Sequence, residues 1–148
     1  MPSPFRGYLI KAVTRQSQDY PAVFPLQFIK FDSYEATPNQ REEIKAYRDE
    51  NTRNLTRVTA SGKKSVIEFK LRPLHLVDKM FVQGWLHNAE ENTQEAHEQR
   101  KVQIEFWDDE ENAYKTGYFY RPNTKFEILR ITDDDIVYKE IDMKFVEY

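Results

Sequence analysis

Three histidines, His75, His87 and His97, are the first residues to weigh, because imidazole is both a proton carrier and the commonest metal ligand. His75 and His87 stand twelve positions apart, not the i, i+4 spacing that puts two ligands on one helical face, and no HExxH occurs. All three read as surface or packing residues. The acidic runs Asp108–Glu111 and Asp133–Asp135 offer the oxygen ligands that calcium takes. Neither has the alternating spacing with glycine of an EF-type loop. Each lies between two alternating segments, where aspartate belongs as a turn residue. Glycoside cleavage needs two carboxylates facing each other. Glu68, Glu105 and Glu127 instead fall on the outward phase of their strands. The four glycines, at 7, 62, 84 and 117, cannot build a Walker or Rossmann loop, and no GxSxG is present. The chain has no cysteine, which removes disulfides, thiolate zinc sites and cysteine nucleophiles together. The expectation is a protein without catalytic, metal or cofactor residues, and not an enzyme.

Two groups of residues carry a different kind of chemistry. Trp107, Tyr114, Tyr118, Phe119 and Tyr120, followed by Arg121, form an aromatic hairpin. Such a set serves as core, as a seam between subunits, where Tyr, Trp and Arg are enriched, or as a sugar-binding platform. Arg48, Arg53, Arg57, Lys63 and Lys64 gather positive charge in the middle of the chain, while the two acidic turns gather negative charge. Copies stacked head to tail would pair these patches, which fixes register more than it adds affinity. A solvated mosaic surface is the plainer alternative. The candidate interface residues are Tyr47, Arg48, Arg53, Arg57, Trp107, Tyr118 and Tyr120.

The elements that must position them follow from periodicity. Ser65–Leu71 alternates cleanly, with Ile67, Phe69 and Leu71 on one face. Val102, Ile104 and Phe106 alternate, Asp108–Asn112 turns, and Tyr114–Tyr120 returns. Phe126–Ile131 and Ile136–Tyr148 make a second hairpin. In its last strand Ile136 and Tyr138 are even-numbered, but Ile141, Met143 and Phe145 are odd, which predicts a bulge or bend near Lys139 and Glu140. Pro73 opens a helix over about 73–88, its apolar face predicted from Leu74, Val77, Phe81 and Trp85 with Met80 alongside. Gly84 marks close packing or fraying there. The stretch 88–100 reads as a solvated loop or helix extension. A strand is expected at about 26–32, with Pro25 arguing for an edge. Residues 33–62 form an excursion that is either a helix after Pro38 or a hairpin with arms near 44–48 and 55–59. Residues 1–20 read as an N-terminal arm or a first edge strand, ahead of a single domain over 21–148. The fold class is mainly β (α+β): an antiparallel β-sandwich or sheet with one flanking helix.

Composition narrows the partners. The chain has 148 residues, with 22 Lys+Arg against 25 Asp+Glu, a formal charge of −3. That balance argues against a general nucleic-acid coat, which needs clustered positive charge. No apolar run approaches the roughly 18 residues of a membrane span, and no secretory signal is expected at the N-terminus. The 10 Phe, 9 Tyr and 2 Trp imply a core of few, large side chains.

Several segments are also familiar. Ser33–Arg41, Ala46–Asp49 with Leu55–Arg57, Lys64–Phe69, Tyr114–Pro122 and the ending Phe145–Tyr148 resemble a family of small proteins encoded in the tail modules of siphophages and related prophages of Gram-positive bacteria. The resemblance runs from about residue 28 onward. It implies a structural virion protein like those of the tail tube, tail completion or distal tail. Such proteins have a β-sandwich flanked by a helix, a long hairpin reaching to neighbouring subunits, and assembly as sixfold rings. It further implies other tail proteins as partners, assembly in the bacterial cytoplasm and location in the virion tail. A carbohydrate- or receptor-binding β-sandwich using Trp107, Tyr118 and Tyr120 is the alternative.

Overall fold

The computed structural model describes residues 3–40, 43–48, 53, 55–59, 64–90 and 93–148, with backbone alone for 43–48 and 55–59. Its main element is a six-stranded antiparallel sheet in the order β1-β7-β8-β11-β5-β2. These strands are β1 (Ile10–Ala12), β2 (Glu35–Gln40), β5 (Lys64–Leu71), β7 (Lys101–Asp108), β8 (Ala113–Tyr120) and β11 (Ile141–Glu147). A hairpin of β3 (Glu43–Arg48) and β4 (Leu55–Thr59) lies between β2 and β5 in the chain. A small three-stranded sheet has the order β6-β10-β9, from β6 (Leu74–His75), β9 (Ile128–Ile131) and β10 (Ile136–Tyr138). Two helices follow β6: α1 (Leu76–Ala89) and α2 (Gln94–Gln99). The mainly β architecture with one principal helix is the one the sequence predicts.

Alternation explains the main sheet. Ile67, Phe69 and Leu71 of β5, Val102, Ile104 and Phe106 of β7, Phe119 of β8, and Ile141, Met143 and Phe145 of β11 are all buried. They share one face, because successive strand residues point to opposite sides. Against this face pack Val82, Trp85, Leu86 and Ala89 of α1 with Phe24, Phe28 and Leu74. Trp85 sits edge-on to Phe24 at 5.0 Å and donates its indole N–H to the Pro21 carbonyl at 2.7 Å. The one polar atom of the largest buried side chain is thereby satisfied.

Three details differ from the sequence-based expectation, each for a local reason. Residues 26–28 form a 3-10 turn, not a strand. The Ile29 N–H bonds back to the Leu26 carbonyl at 3.0 Å, and Phe28 alone of the three turns inward. Pro25, which has no N–H to give a ladder, precedes the turn. Next, α1 begins at Leu76, because Leu74 and His75 are taken by β6, which pairs with β10. The buried stripe is therefore Val82, Trp85, Leu86 and Ala89, whereas Val77 and Met80 are 74% and 58% exposed. Finally, 94–99 is a short helix capped by Thr93, whose hydroxyl accepts from the Ala96 N–H at 3.1 Å.

Several open readings take one form in the structure. The excursion is strand, not helix: β3 pairs antiparallel with β4, placing Tyr47 opposite Thr56 and Arg48 opposite Leu55. The phase change at 139–140 separates β10, in the small sheet, from β11, in the large one. Gly84 is a point of close packing, since the Tyr20 ring occupies the space a Cβ would need. The stretch read as an arm or an edge strand carries β1, which lies at one edge of the main sheet with Ile10 opposite Phe106. No helix among the described residues is long and apolar enough to cross a membrane.

Candidate functional site

The face of the main sheet away from the core carries the aromatic hairpin. β7 and β8 pair over their full length, from Lys101 opposite Tyr120 to Asp108 opposite Ala113. Trp107, Gln103 and Lys101 therefore share this face with Tyr114, Tyr118 and Tyr120. At one end Trp107 meets Tyr114 edge-on at 5.2 Å and Phe5 at 5.5 Å, while Tyr8 stacks on Tyr114 at 4.5 Å. At the other end the Lys101 ammonium lies over the Tyr118 ring at 4.9 Å and the Tyr148 ring at 5.1 Å, and Tyr120 meets Tyr148 edge-on at 5.4 Å. The two ends are six strand residues apart, about 20 Å at the rise of an antiparallel strand. Trp107, Tyr118 and Tyr120 thus do not make one stacking platform, and each already has an aromatic or cationic neighbour. On β5 and β11 this face becomes a ladder of opposite charges. Glu68 stands opposite Lys144 at 3.4 Å and Lys70 opposite Asp142 at 3.9 Å.

The predicted interface residues of the excursion are placed by backbone only. Tyr47, Arg48 and Arg57 lie on the β3–β4 hairpin, and their side chains, like all of Lys63, lie outside the described residues. Arg53, in the connection between the two strands, is exposed and has a left-handed backbone at φ 65°. Among the described residues β3 and β4 pair with no other strand. A two-stranded ribbon on its own is marginal in water, so this one depends on what it packs against.

The base of the excursion is held by a buried polar cluster. Asp108, fully buried at the end of β7, accepts hydrogen bonds from the Asn39 amide (2.9 Å), the Lys115 ammonium (3.1 Å) and the N–H groups of Glu110 (2.9 Å) and Glu111 (3.3 Å). Asn39, at the end of β2, adopts φ 55°, a left-handed conformation that asparagine tolerates. Its N–H donates to the Ser65 hydroxyl at 3.1 Å. Burial pushes the Asp108 carboxyl up, but the hydrogen bonds from Asn39, Lys115 and the turn outweigh it and hold the group below its ordinary value. Asp108 is thus unavailable to a neighbouring subunit. Asp135 is committed in the same way. It binds the His75 ring at 2.6 Å and accepts from the N–H groups of Ile136 (2.8 Å) and Leu76 (3.4 Å).

Exposed apolar side chains also gather on β9. β9 hydrogen-bonds only to β10, so its other edge is open among the described residues. Leu129, Ile131 and Ile128 are 57%, 67% and 48% exposed, and the register against β10 shifts by one residue between Ile128 and Arg130. An open apolar edge is what soluble monomers avoid. Sequence reading identified this strand but not its exposure.

At the start of β7 a second buried carboxylate collects partners from three elements. Glu90, 3% exposed, follows α1 and forms a β-bridge with Val102. Its Oε1 takes the Arg121 guanidinium at 3.0 Å. Its Oε2 lies 2.6 Å from His97 Nδ1 and 3.6 Å from His87 Nδ1. The two imidazoles stack at 4.8 Å. Burial pushes the Arg121 guanidinium down, and the charge of Glu90 opposes that shift. Spacing gave no hint of this cluster, because His87 and His97 come from different helices and Glu90 sits in a stretch that looks solvated.

The chain matches one family along almost its whole length, over residues 3–148. It belongs to DUF6711, a family of unknown function. None of the curated proteins matches it. Among solved structures it is similar to a chain in the tail of an empty GTA particle, computed with helical refinement and C6 symmetry. The identity is 7%, the likeness covers 97% of this chain and 94% of that one, and the TM-score is 0.48. In this DUF6711 member the conspicuous surfaces are therefore an open apolar strand edge, an outward aromatic and charged sheet face, and a hairpin paired only with itself.

Proposed function

We propose that the protein is a structural, non-enzymatic subunit of a phage or prophage tail, acting by self-association into a ring and by contact with other tail proteins. The observation that carries this reading is β9, a strand whose open edge bears Ile128, Leu129 and Ile131. A neighbouring copy laid along it would satisfy the free backbone groups and cover the apolar side chains in one step. The β3–β4 hairpin supports the same reading, since its arginines belong to a ribbon that needs a partner surface. The resemblance of Ser33–Arg41, Tyr114–Pro122 and the C-terminal residues to tail-module proteins supplies the setting, the virion tail. Tube, completion protein and distal-tail connector are its forms, and a sixfold ring is the expected assembly. No observation favours the sugar-binding alternative, because Trp107 is separated from Tyr118 and Tyr120.

The test is light scattering of the purified protein followed by negative-stain imaging. Rings, tubes or a hexamer-sized species are expected, and Leu129→Lys with Ile131→Lys should return them to monomer with an unchanged circular dichroism spectrum. Both side chains already face solvent, so the monomer has little to lose. Assembly that survives this pair would refute the β9 seam. Arg53→Glu with Arg57→Glu should weaken assembly through the hairpin.

A further inference from the structure

We propose that His87, Glu90 and His97 form a binding site for one divalent transition-metal ion, with zinc the cation that fits the donors best. Two imidazole nitrogens and one carboxylate oxygen lie within 4.8 Å of one another. That set suits zinc, whereas magnesium and calcium prefer all-oxygen shells. The carboxylate is already divided between two tasks. Oε1 is held by Arg121, and Oε2 faces both rings. An orienting partner on the far oxygen is the usual support of a ligating carboxylate.

The donor spacings are already near those a zinc ion needs, and the change required is a turn of the rings. Donors on a tetrahedral zinc with bonds of about 2.0–2.1 Å stand about 3.3 Å apart. His97 Nδ1, at 2.6 Å from Oε2, must back away, and His87 Nδ1, at 3.6 Å, must close slightly. The rings, 19° from parallel, must also tilt so that their lone pairs converge. His87 is exposed and turns without disturbing the core, while His97 is anchored by α2, whose first turn Thr93 caps. A cavity of about 250 Å³ lined by Lys79, Gln83, His87, Glu90 and Arg121 opens beside the cluster and gives an ion and its water a way in. Bound metal would take the place of the contact between His97 Nδ1 and Glu90 Oε2, and would pin the end of α1 to α2. The site does not depend on the tail reading, and neither result bears on the other.

The experiment is isothermal titration of the untagged full chain, stripped with chelator, with zinc chloride, alongside cobalt(II) absorption. One ion per chain is expected, with proton release and the strong visible bands of tetrahedral cobalt. Loss of an orienting partner costs roughly 10–100-fold in metal affinity, so His87→Ala and His97→Ala should each weaken binding by about 100-fold or more. His75→Ala, in a different part of the fold, should bind as the wild type does. Folding of each variant is checked by its circular dichroism spectrum and thermal midpoint without metal. The fold does not rest on the exposed His87 ring, so that variant keeps the test valid if His97→Ala fails to fold. Absence of saturable zinc binding overturns the proposal. So does wild-type affinity in His87→Ala, or loss of the bound ion in His75→Ala.

Discussion

The two ends of β7 each bury a carboxylate against a cation, and they do so differently. Asp108, at one end, has its oxygens filled by two side chains and two turn N–H groups. Its cation, Lys115, is partly exposed and also reaches Glu111 at 3.0 Å. Glu90, at the other end, faces an arginine whose side chain is only 13% exposed, and its remaining oxygen faces two histidines. The first is a closed latch, in which every lone pair has a fixed donor and the cation can retreat to water. The second is closed on one oxygen and adjustable on the other. Arg121 Nε has no hydrogen-bond partner among the described residues, so the guanidinium leans on Glu90 for its compensation. What decides the cost of breaking a buried ion pair is where the surviving partner can go.

The largest effect should therefore come from Glu90→Ala. It leaves the largely buried Arg121 guanidinium without its carboxylate, and loss of about 4 kcal/mol is expected by urea denaturation. Asp108→Ala should cost less, about 3 kcal/mol, although Asp108 is the more deeply buried carboxylate. Lys115 keeps Glu111 and reaches solvent, so the penalty is mainly the unpaired Asn39 amide and the turn N–H groups. If Asp108→Ala proves the more damaging of the two, the fate of the surviving cation is not what separates the clusters.

The same contrast governs what was legible in the sequence. Strands β5, β7, β8 and β11 could be read because one of their faces is covered and alternation records it. The β3–β4 hairpin reads equally as strand or helix, since its residues follow no single apolar face. Of the predicted helix face, Leu74, Phe81 and Trp85 do pack inward, but Val77 and Met80 face solvent, and Leu74 belongs to β6, held by a partner, β10, more than sixty residues away. Asp108 reads from the sequence as the start of a turn, and its burial leaves no trace there because Asn39 and Lys115 reach it from other strands. The Glu90 cluster leaves no local signal at all, because its parts come from the end of α1, from α2 and from the residue after β8. Of the interface residues, Trp107, Tyr118 and Tyr120 do face outward, but spacing along the strand did not show that they belong to two separate groups.

The smallest expected effect sharpens the comparison through acid. The Asp108 carboxyl is held below its ordinary value of 3.8, so its contribution to stability is fully present above that pH. As pH falls through the folded-state value, which lies lower, the native protein takes up this proton later than the unfolded chain does. Stability drains away in that window. Asp108→Asn keeps much of the shape but has no proton to gain. Its thermal midpoint should start below that of the wild type at neutral pH and fall less steeply from about pH 4 downward, so that the two curves converge. The measurement is the thermal midpoint of both proteins across the acid range. Parallel curves would mean that Asp108 titrates normally, and that the donors around it fix the turn without favouring its charge. The closed latch would then be a matter of geometry alone, and the electrostatic contrast with Glu90 would fall.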